Sequence, residues 1–166
     1  MHALVLLGII SVTALAEGVD KRECEKIFDP EATSCCKKSF ELQEKLMNIK
    51  ELKECFNVNM DPATCEHDLC IAKTRGFVTD DKKMDKKKLE ELVILDLGSD
   101  PDLMKDMKSK CFNGDLDKYG PPEFCDLFKN RLCMTAQLLK HCPEWNDTDS
   151  CKEFKGLVQE CAKTIY

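Results

Sequence analysis

Twelve cysteines in a chain of 166 residues constrain the fold more than any other feature of this sequence. The number is even, and no C-x-x-C pair occurs, whereas structural zinc sites commonly draw their ligands from such pairs. In an oxidising compartment the set predicts up to six disulfides and no metal site. We therefore expect bridges at Cys24, Cys35, Cys36, Cys55, Cys65, Cys70, Cys111, Cys125, Cys133, Cys142, Cys151 and Cys161.

These bridges bear on function because each typically stabilises a folded domain by about 2–4 kcal/mol. A domain held by several of them tolerates an imperfectly filled interior and can keep a cavity. Counting leaves the pairing open, but two spacings restrict it. Cys35 and Cys36 are adjacent and diverge, and Cys133 and Cys142 would lie on opposite sides of one helix. Each of these four cysteines should have its own partner, so the bridges should run between helices.

The amino terminus predicts an oxidising destination. Residues 2–16 contain no Lys, Arg, Asp or Glu, and Ala14-Leu15-Ala16 has the small-x-small form of a signal-peptidase site. We expect a signal peptide over 1–16, followed by one domain over 17–166 in a secreted, extracellular protein. The alternative is a membrane anchor, but the apolar run is short for a bilayer span.

Composition excludes several classes of function. Lys and Arg number 25 against 31 Asp and Glu, a net charge of −6, which argues against a nucleic-acid-binding surface. No long basic amphipathic stretch or later apolar span predicts membrane insertion. Hydrophobic residues make up 43% of the chain, so it is not a disordered acidic tail.

The residue pattern predicts helices only. Helix starts are expected at Asp29-Pro30, Asp61-Pro62, Asp100-Pro101 and Pro121-Pro122, and the spacing of Ser150 and Glu153 has the form of a capping box. Gly76 and Gly114 are expected at helix ends, and 37–56, 62–75 and 87–97 also have helical character. Phe124, Phe128, Leu132, Ala136 and Leu139 form one apolar helical stripe. No sustained apolar–polar alternation predicts a strand. The expected fold is all-α, a compact disulfide-crosslinked domain of six to seven helices.

Several of these segments also resemble a known family. They are Cys70-Ile-Ala-Lys-Thr-Arg-Gly76-Phe-Val-Thr-Asp80, the eight residues between Cys133 and Cys142, and Pro143 directly after Cys142. With Cys111, Cys125 and the late Cys151 and Cys161, the pattern over 24–161 resembles insect odorant-binding proteins of the Plus-C subclass. One departure is that Cys65 and Cys70 enclose four residues, where the family usually has three.

The resemblance implies a pairing, a function and partners. It implies the bridges Cys36–Cys70, Cys65–Cys133 and Cys111–Cys142. It also suggests the bridge Cys125–Cys151, because both of these cysteines are additional ones found in the subclass. It implies a carrier, monomeric or homodimeric, that reversibly binds small hydrophobic, odorant- or pheromone-like molecules in a cavity between helices. A chemosensory receptor is a possible partner, and no cofactor is implied.

Seven Met and eight Phe supply soft or bulky side chains that could line such a pocket. The candidate ligand-binding residues are Phe77, Leu92, Leu95, Met104, Met107, Phe128, Met134 and Leu138. The alternative for each of them is that it simply fills the core. Asn146-Asp147-Thr148 is a glycosylation sequon, so Asn146 is a candidate modification site.

Two other functions compete with the carrier. His67-Asp68-Leu69-Cys70 resembles the His-Asp-x-Cys segment of secreted phospholipases A2, but the preceding cysteine pair and the glycine-rich calcium loop are missing. We therefore expect His67 to be a surface side chain flanked by acids, and we expect no enzyme. A secreted salivary or venom-like protein that sequesters a host factor could use the same scaffold, and would favour a large exposed apolar patch.

Overall fold

The computed structural model describes residues 20–98 and 100–164, so the predicted signal peptide lies outside the described residues. The described chain is helical, with two isolated β-bridges, Cys36 with Trp145 and Val78 with Met84, and no strand. The α-helices of this part are α1 Lys21–Cys24, α2 Pro30–Cys35, α3 Lys37–Met47, α4 Lys50–Lys53, α5 Glu66–Arg75, α6 Lys86–Leu97, α7 Pro101–Asp106, α8 Asp126–Lys140 and α9 Asp149–Thr164. Single 3-10 turns cover Glu25–Phe28, Glu54–Asn57 and Leu116–Tyr119, and a π-helix covers Met107–Phe112. The all-α class is confirmed, and the helix count is higher than expected because several helices are only one or two turns long.

Two of the four expected helix starts are confirmed, both at a proline that follows an aspartate. Helix α2 begins at Pro30, and α7 begins at Pro101 behind Asp100, whose carboxylate accepts hydrogen bonds from the amides of Asp102 and Leu103. The starts at Pro62 and Pro121-Pro122 are wrong, because turns precede helices that begin at Glu66 and Asp126. The expected helix over 37–56 breaks after Met47 and ends in a 3-10 turn.

The N-terminal cap of α9 differs from the expected one. The capping box at Ser150 and Glu153 is wrong, since α9 already begins at Asp149. The hydroxyl oxygen of Thr148 accepts a hydrogen bond from the amide of Cys151 at 3.2 Å instead. Gly76 does end α5, in the left-handed conformation at φ 75°, as expected for a glycine in that position.

All twelve cysteines are bridged, which confirms the disulfide framework. The pairs are Cys24–Cys161, Cys35–Cys151, Cys36–Cys142, Cys55–Cys70, Cys65–Cys125 and Cys111–Cys133. Four bridges join two different helical elements, whereas Cys36–Cys142 and Cys65–Cys125 join residues just outside the helix ends. Each of the four cysteines with restricted spacing has its own partner, although Cys142 lies beyond the end of α8 and does not share that helix with Cys133. The expectation that the bridges run between helices is therefore correct for four of the six.

The four pairings implied by the family resemblance are wrong: Cys36–Cys70, Cys65–Cys133, Cys111–Cys142 and Cys125–Cys151. Cys65 is the N-cap of α5, in the left-handed conformation at φ 63°, so it does not share a helical face with Cys70. Its neighbour Pro62 accepts a hydrogen bond from the amide of Cys125 at 3.1 Å, which brings the starts of α5 and α8 together. Cys65 therefore pairs with Cys125.

The segment after α8 explains two further pairs. Its backbone runs beside the end of α2, where the amide of Asn146 donates to the carbonyl of Cys35 at 2.8 Å and the amide of Lys37 donates to Glu144 at 3.1 Å. This contact places Cys36 next to Cys142, and it directs Cys35 towards Cys151 at the start of α9.

Helix α8 is the central element of the core. It packs against α5, α7, α9, the π-helix and the Leu116–Tyr119 turn. Its buried Cys133, Ala136 and Leu139 join side chains from α6, α7 and the π-helix in one apolar cluster. In the described residues, none of the helices combines the length and the apolar character that a bilayer crossing needs.

Candidate ligand-binding cavity

A cavity of about 420 Å³, open to solvent along part of its wall, lies beside the core cluster. Its wall is mainly apolar and comes from α3, α5, α6, the π-helix and α8. Phe28 and Phe56, on two of the 3-10 turns, also line it, and smaller parts come from α2, α4 and Phe77. A volume of this size is within the range of small-molecule sites in proteins.

Five of the eight candidate ligand-binding residues line this cavity: Phe77, Leu92, Met107, Met134 and Leu138. The other three lie elsewhere. Leu95 is on the outer face of α6 with 75% of its surface exposed, and Met104 packs against the core cluster. Phe128 lines a second cavity. The structure brings together residues from four parts of the chain that are far apart in sequence.

Sequence reasoning found only part of the face of α8 that lines the cavity. Met134 and Leu138 were predicted to bind ligand, whereas Leu127, Asn130 and Arg131 of the same wall were missed. These five residues follow one another at spacings of one to four residues. This periodicity is present in the sequence, but Asn130 and Arg131 interrupt it and mask it as a polar face.

The charged side chains of the wall are paired. The guanidinium of Arg131 donates to Asp68 with Nε at 2.7 Å from Oδ1, and it lies over the ring of Phe128 at 4.6 Å. Arg75 and Lys45 both contact Asp96, and the Lys45 Nζ lies 3.1 Å from Oδ1. These pairs join α8 to α5, and α5 and α3 to α6, so they fix helices around the cavity.

His67 is the exception in this wall, and the expectation of a surface side chain is wrong. The residue lies in the first turn of α5 and only 5% of its surface is exposed. Its ring is 5.6 Å from that of Phe56, and its Nδ1 lies 3.9 Å from Oδ2 of Asp68. Nε2 is buried and has no hydrogen-bond partner. Burial lowers the pKa of His67, opposed by the nearby Asp68 carboxylate, so the ring is neutral at pH 7.

A second cavity, of about 400 Å³, lies on the other side of Phe28 and Leu132, which line both cavities. Tyr119, Phe124 and Phe128 contribute aromatic rings to it. The rings of Phe124 and Phe128 meet edge to face with centroids 5.1 Å apart. Phe128, which was predicted to bind ligand, therefore lines the second cavity and not the first.

Two other kinds of site are those for glycosylation and for metal binding. Asn146 is half-buried, and its Nδ2, the atom that would carry a glycan, donates a hydrogen bond to the carbonyl of Ser34 at 3.0 Å. Within residues 20–98 and 100–164, no group of three or more His, Cys, Asp or Glu side chains is placed to hold a metal ion.

Comparison of this chain with protein-family models, with curated proteins and with solved structures gave no match.

Proposed function

We propose that this protein is a secreted carrier that reversibly binds small hydrophobic molecules in the 420 Å³ cavity. The observation that carries the proposal is the cavity itself, with its apolar wall and paired charges. Six disulfides support a destination in an oxidising, extracellular compartment. Ligands of odorant or pheromone type, and a function like that of Plus-C odorant-binding proteins, belong to the same proposal.

The energetics favour broad and moderate affinity. A ligand gains about 25 cal/mol for each Å² of apolar surface that it buries, so burial of about 250 Å² contributes about 6 kcal/mol. Part of this gain is offset by the lost freedom of the ligand. The expected dissociation constants are therefore tens of micromolar or weaker, and chain length and shape should matter more than detailed chemistry.

Helix α6 offers a matched pair of variants for the test. Leu92 lines the cavity, whereas Leu95, three residues later on the same helix, is exposed. Leu92→Trp should fill part of the cavity and weaken binding of a non-polar naphthylamine fluorescent probe at least fivefold. Leu95→Trp places the same ring on the outer face and should leave probe affinity unchanged.

The carrier proposal predicts that long-chain alcohols, esters or aromatic compounds displace the probe. Far-ultraviolet circular dichroism and the midpoint of thermal unfolding of both variants should match those of the unmodified protein. Absence of probe binding, or equal binding by the two variants, would contradict the proposal.

The sequestering alternative has one supporting observation. Ile94 and Leu95 are adjacent on α6, with 42% and 75% of their surfaces exposed. A protein partner that docks there would be sensitive to Leu95→Asp and insensitive to Leu92→Trp, the reverse of the carrier's pattern.

A further inference from the structure

We propose that Nε2 of His67 accepts a hydrogen bond from the bound molecule, so that the cavity selects long-chain ligands with a terminal hydroxyl over ethers and esters that cannot donate. This inference rests on the proposed carrier function. It adds a polar anchor to a cavity that otherwise discriminates by shape.

The first step is the unsatisfied atom. Among the described residues, Nε2 of His67 is the buried side-chain nitrogen or oxygen left without any hydrogen-bond partner. Buried polar groups in folded proteins nearly always have partners, and leaving one unsatisfied is costly. His67 belongs to the cavity wall, but its Nε2 is covered in the ligand-free protein, so a ligand in the cavity must displace the side chains that cover this atom before it can supply the partner.

The second step is the direction of the hydrogen bond. A neutral imidazole carries one proton, and the nitrogen without it is an acceptor. Nδ1 lies 3.9 Å from the Asp68 carboxylate, and a negative charge on that side favours the proton on Nδ1. Asp68 is itself held by Arg131 at 2.7 Å, which keeps the carboxylate in place. Nε2 is then an acceptor, and it needs a donor.

The third step is the chemistry of the ligand. A primary alcohol donates one hydrogen bond, whereas its methyl ether has nearly the same size and chain but only accepts. The ether would leave Nε2 unsatisfied and would bring an oxygen without a donor into the site. A site built to hydrogen-bond a hydroxyl discriminates against an analogue that lacks one.

The experiment compares decanol, decyl methyl ether and undecane as competitors of the fluorescent probe, in the protein and in His67→Phe. The alcohol-to-ether affinity ratio should fall about fivefold in His67→Phe, which corresponds to about 1 kcal/mol. Comparison of the ratio between the two proteins cancels the different water solubilities of the ligands. Undecane should bind both proteins with similar affinity.

The control variant is Met134→Leu, which changes the cavity wall without a polar atom. It can alter the affinity of all three ligands, but the alcohol-to-ether ratio should stay the same. An unchanged ratio in His67→Phe, or an equal change in Met134→Leu, would overturn the inference. If no competitor displaces the probe from the unmodified protein, the carrier function itself fails.

A second measurement needs no variant. In protein labelled with ¹⁵N-histidine, the Nε2 resonance of His67 should have the shift of an unprotonated acceptor nitrogen, and decanol should move it. Decyl methyl ether at the same occupancy should move it much less. A protonated Nε2, or equal shifts with both ligands, would contradict the assignment even if His67→Phe failed to fold.

Discussion

The burial of His67 has a cost to stability that can be measured separately from ligand binding. Nε2 lacks a partner, and burial lowers the pKa of the ring, with Asp68 opposing and Arg131 adding to the effect. The ligand-free protein therefore carries an unsatisfied group that an apolar side chain would remove. The proposed contact with a ligand and the stability of the ligand-free protein therefore compete at this residue.

We predict that His67→Phe raises the free energy of unfolding of the ligand-free protein by about 1 kcal/mol at pH 7.5. The gain should increase as the pH falls below 6.5, the ordinary pKa of histidine. Below that pH the unfolded chain binds a proton at His67 that the folded chain does not bind until lower pH, so acid favours unfolding. Urea unfolding with the disulfides intact, at pH 7.5 and pH 5, measures both effects.

His141 is a control of the same residue type. Its Nε2 lies 2.9 Å from Oδ2 of Asp106, a carboxylate that also contacts Lys110 and Lys140. Burial raises the pKa of Asp106, but hydrogen bonds from Lys140 and His141 outweigh it and hold the pKa well below its usual range. His141→Phe removes one of these partners and should destabilise the protein. A stabilising effect of both substitutions would show that the unsatisfied Nε2 of His67 is not the cause.

At the scale of elements, two glycines in helical surroundings have opposite roles. Gly156 lies in α9, and a Cβ built on it meets nothing within 4 Å. Gly114 follows the π-helix, and a Cβ there would lie 2.2 Å from the carbonyl oxygen of Lys110. The chain needs glycine at 114 for this close approach, whereas at 156 glycine only adds freedom to the unfolded chain.

We predict that Gly156→Ala raises the free energy of unfolding by about 0.5–1 kcal/mol, because alanine favours the helix. Gly114→Ala should lower it by more than about 1 kcal/mol, because the Lys110 carbonyl must move. Thermal unfolding of the two variants beside the unmodified protein measures the difference. Stabilisation by Gly114→Ala would contradict the close approach of the backbone.

Local signals predicted the elements better than their boundaries. Helices do begin at the prolines at 30 and 101, and the apolar spacing over 87–97 matches α6. Asp61-Pro62 has the same form but begins a turn, since Cys65 must leave the helix to reach Cys125. The disulfide between residues far apart in sequence decides the local conformation, and the residues near Pro62 do not predict that disulfide.

The candidate site was also predictable only in part from the sequence. Leu92 and Leu138 lie on apolar helical stripes, and they do line the cavity. Leu95 is just as apolar, but the described part of the chain leaves 75% of its surface exposed. The buried position of His67 follows from the packing of Phe56 beside it, and Phe56 lies on a separate 3-10 turn. Sequence periodicity identifies which face of a helix is apolar. What packs against that face depends on the tertiary structure.

At the scale of the whole molecule, the bridges form a network that closes the domain around the cavity. Cys24–Cys161 ties the two ends of the described chain, although their sequence separation is 137. Cys55–Cys70 fixes the turn that carries Phe56 to α5, which carries His67. Most helices here are short, and such helices are marginal in isolation. The crosslinks therefore hold the cavity wall as well as the fold.

The pairing could not be predicted from spacing, because it depends on which helix ends meet. Trypsin should reveal it without any variant, since lysine and arginine separate the cysteines into few peptides. Peptide 27–37 contains Cys35 and Cys36, and peptide 141–152 contains both Cys142 and Cys151. We predict that these two peptides elute together without reduction, joined by two disulfides and by no third peptide.

Three other products complete the predicted map: 23–26 with 156–163, 111–118 with 132–140, and 54–73 with 119–129, the last with an additional bridge inside 54–73. The pairing implied by the odorant-binding-protein resemblance would give different products. Cys36–Cys70 would join 27–37 to 54–73, and Cys111–Cys142 would join 111–118 to 141–152. Mass spectrometry of the unreduced digest distinguishes the two sets of disulfides, because neither of these two peptide pairs is expected from the disulfides of the structure. Detection of either alternative pair would contradict the arrangement of α2 against the segment after α8, and with it the position of the cavity wall.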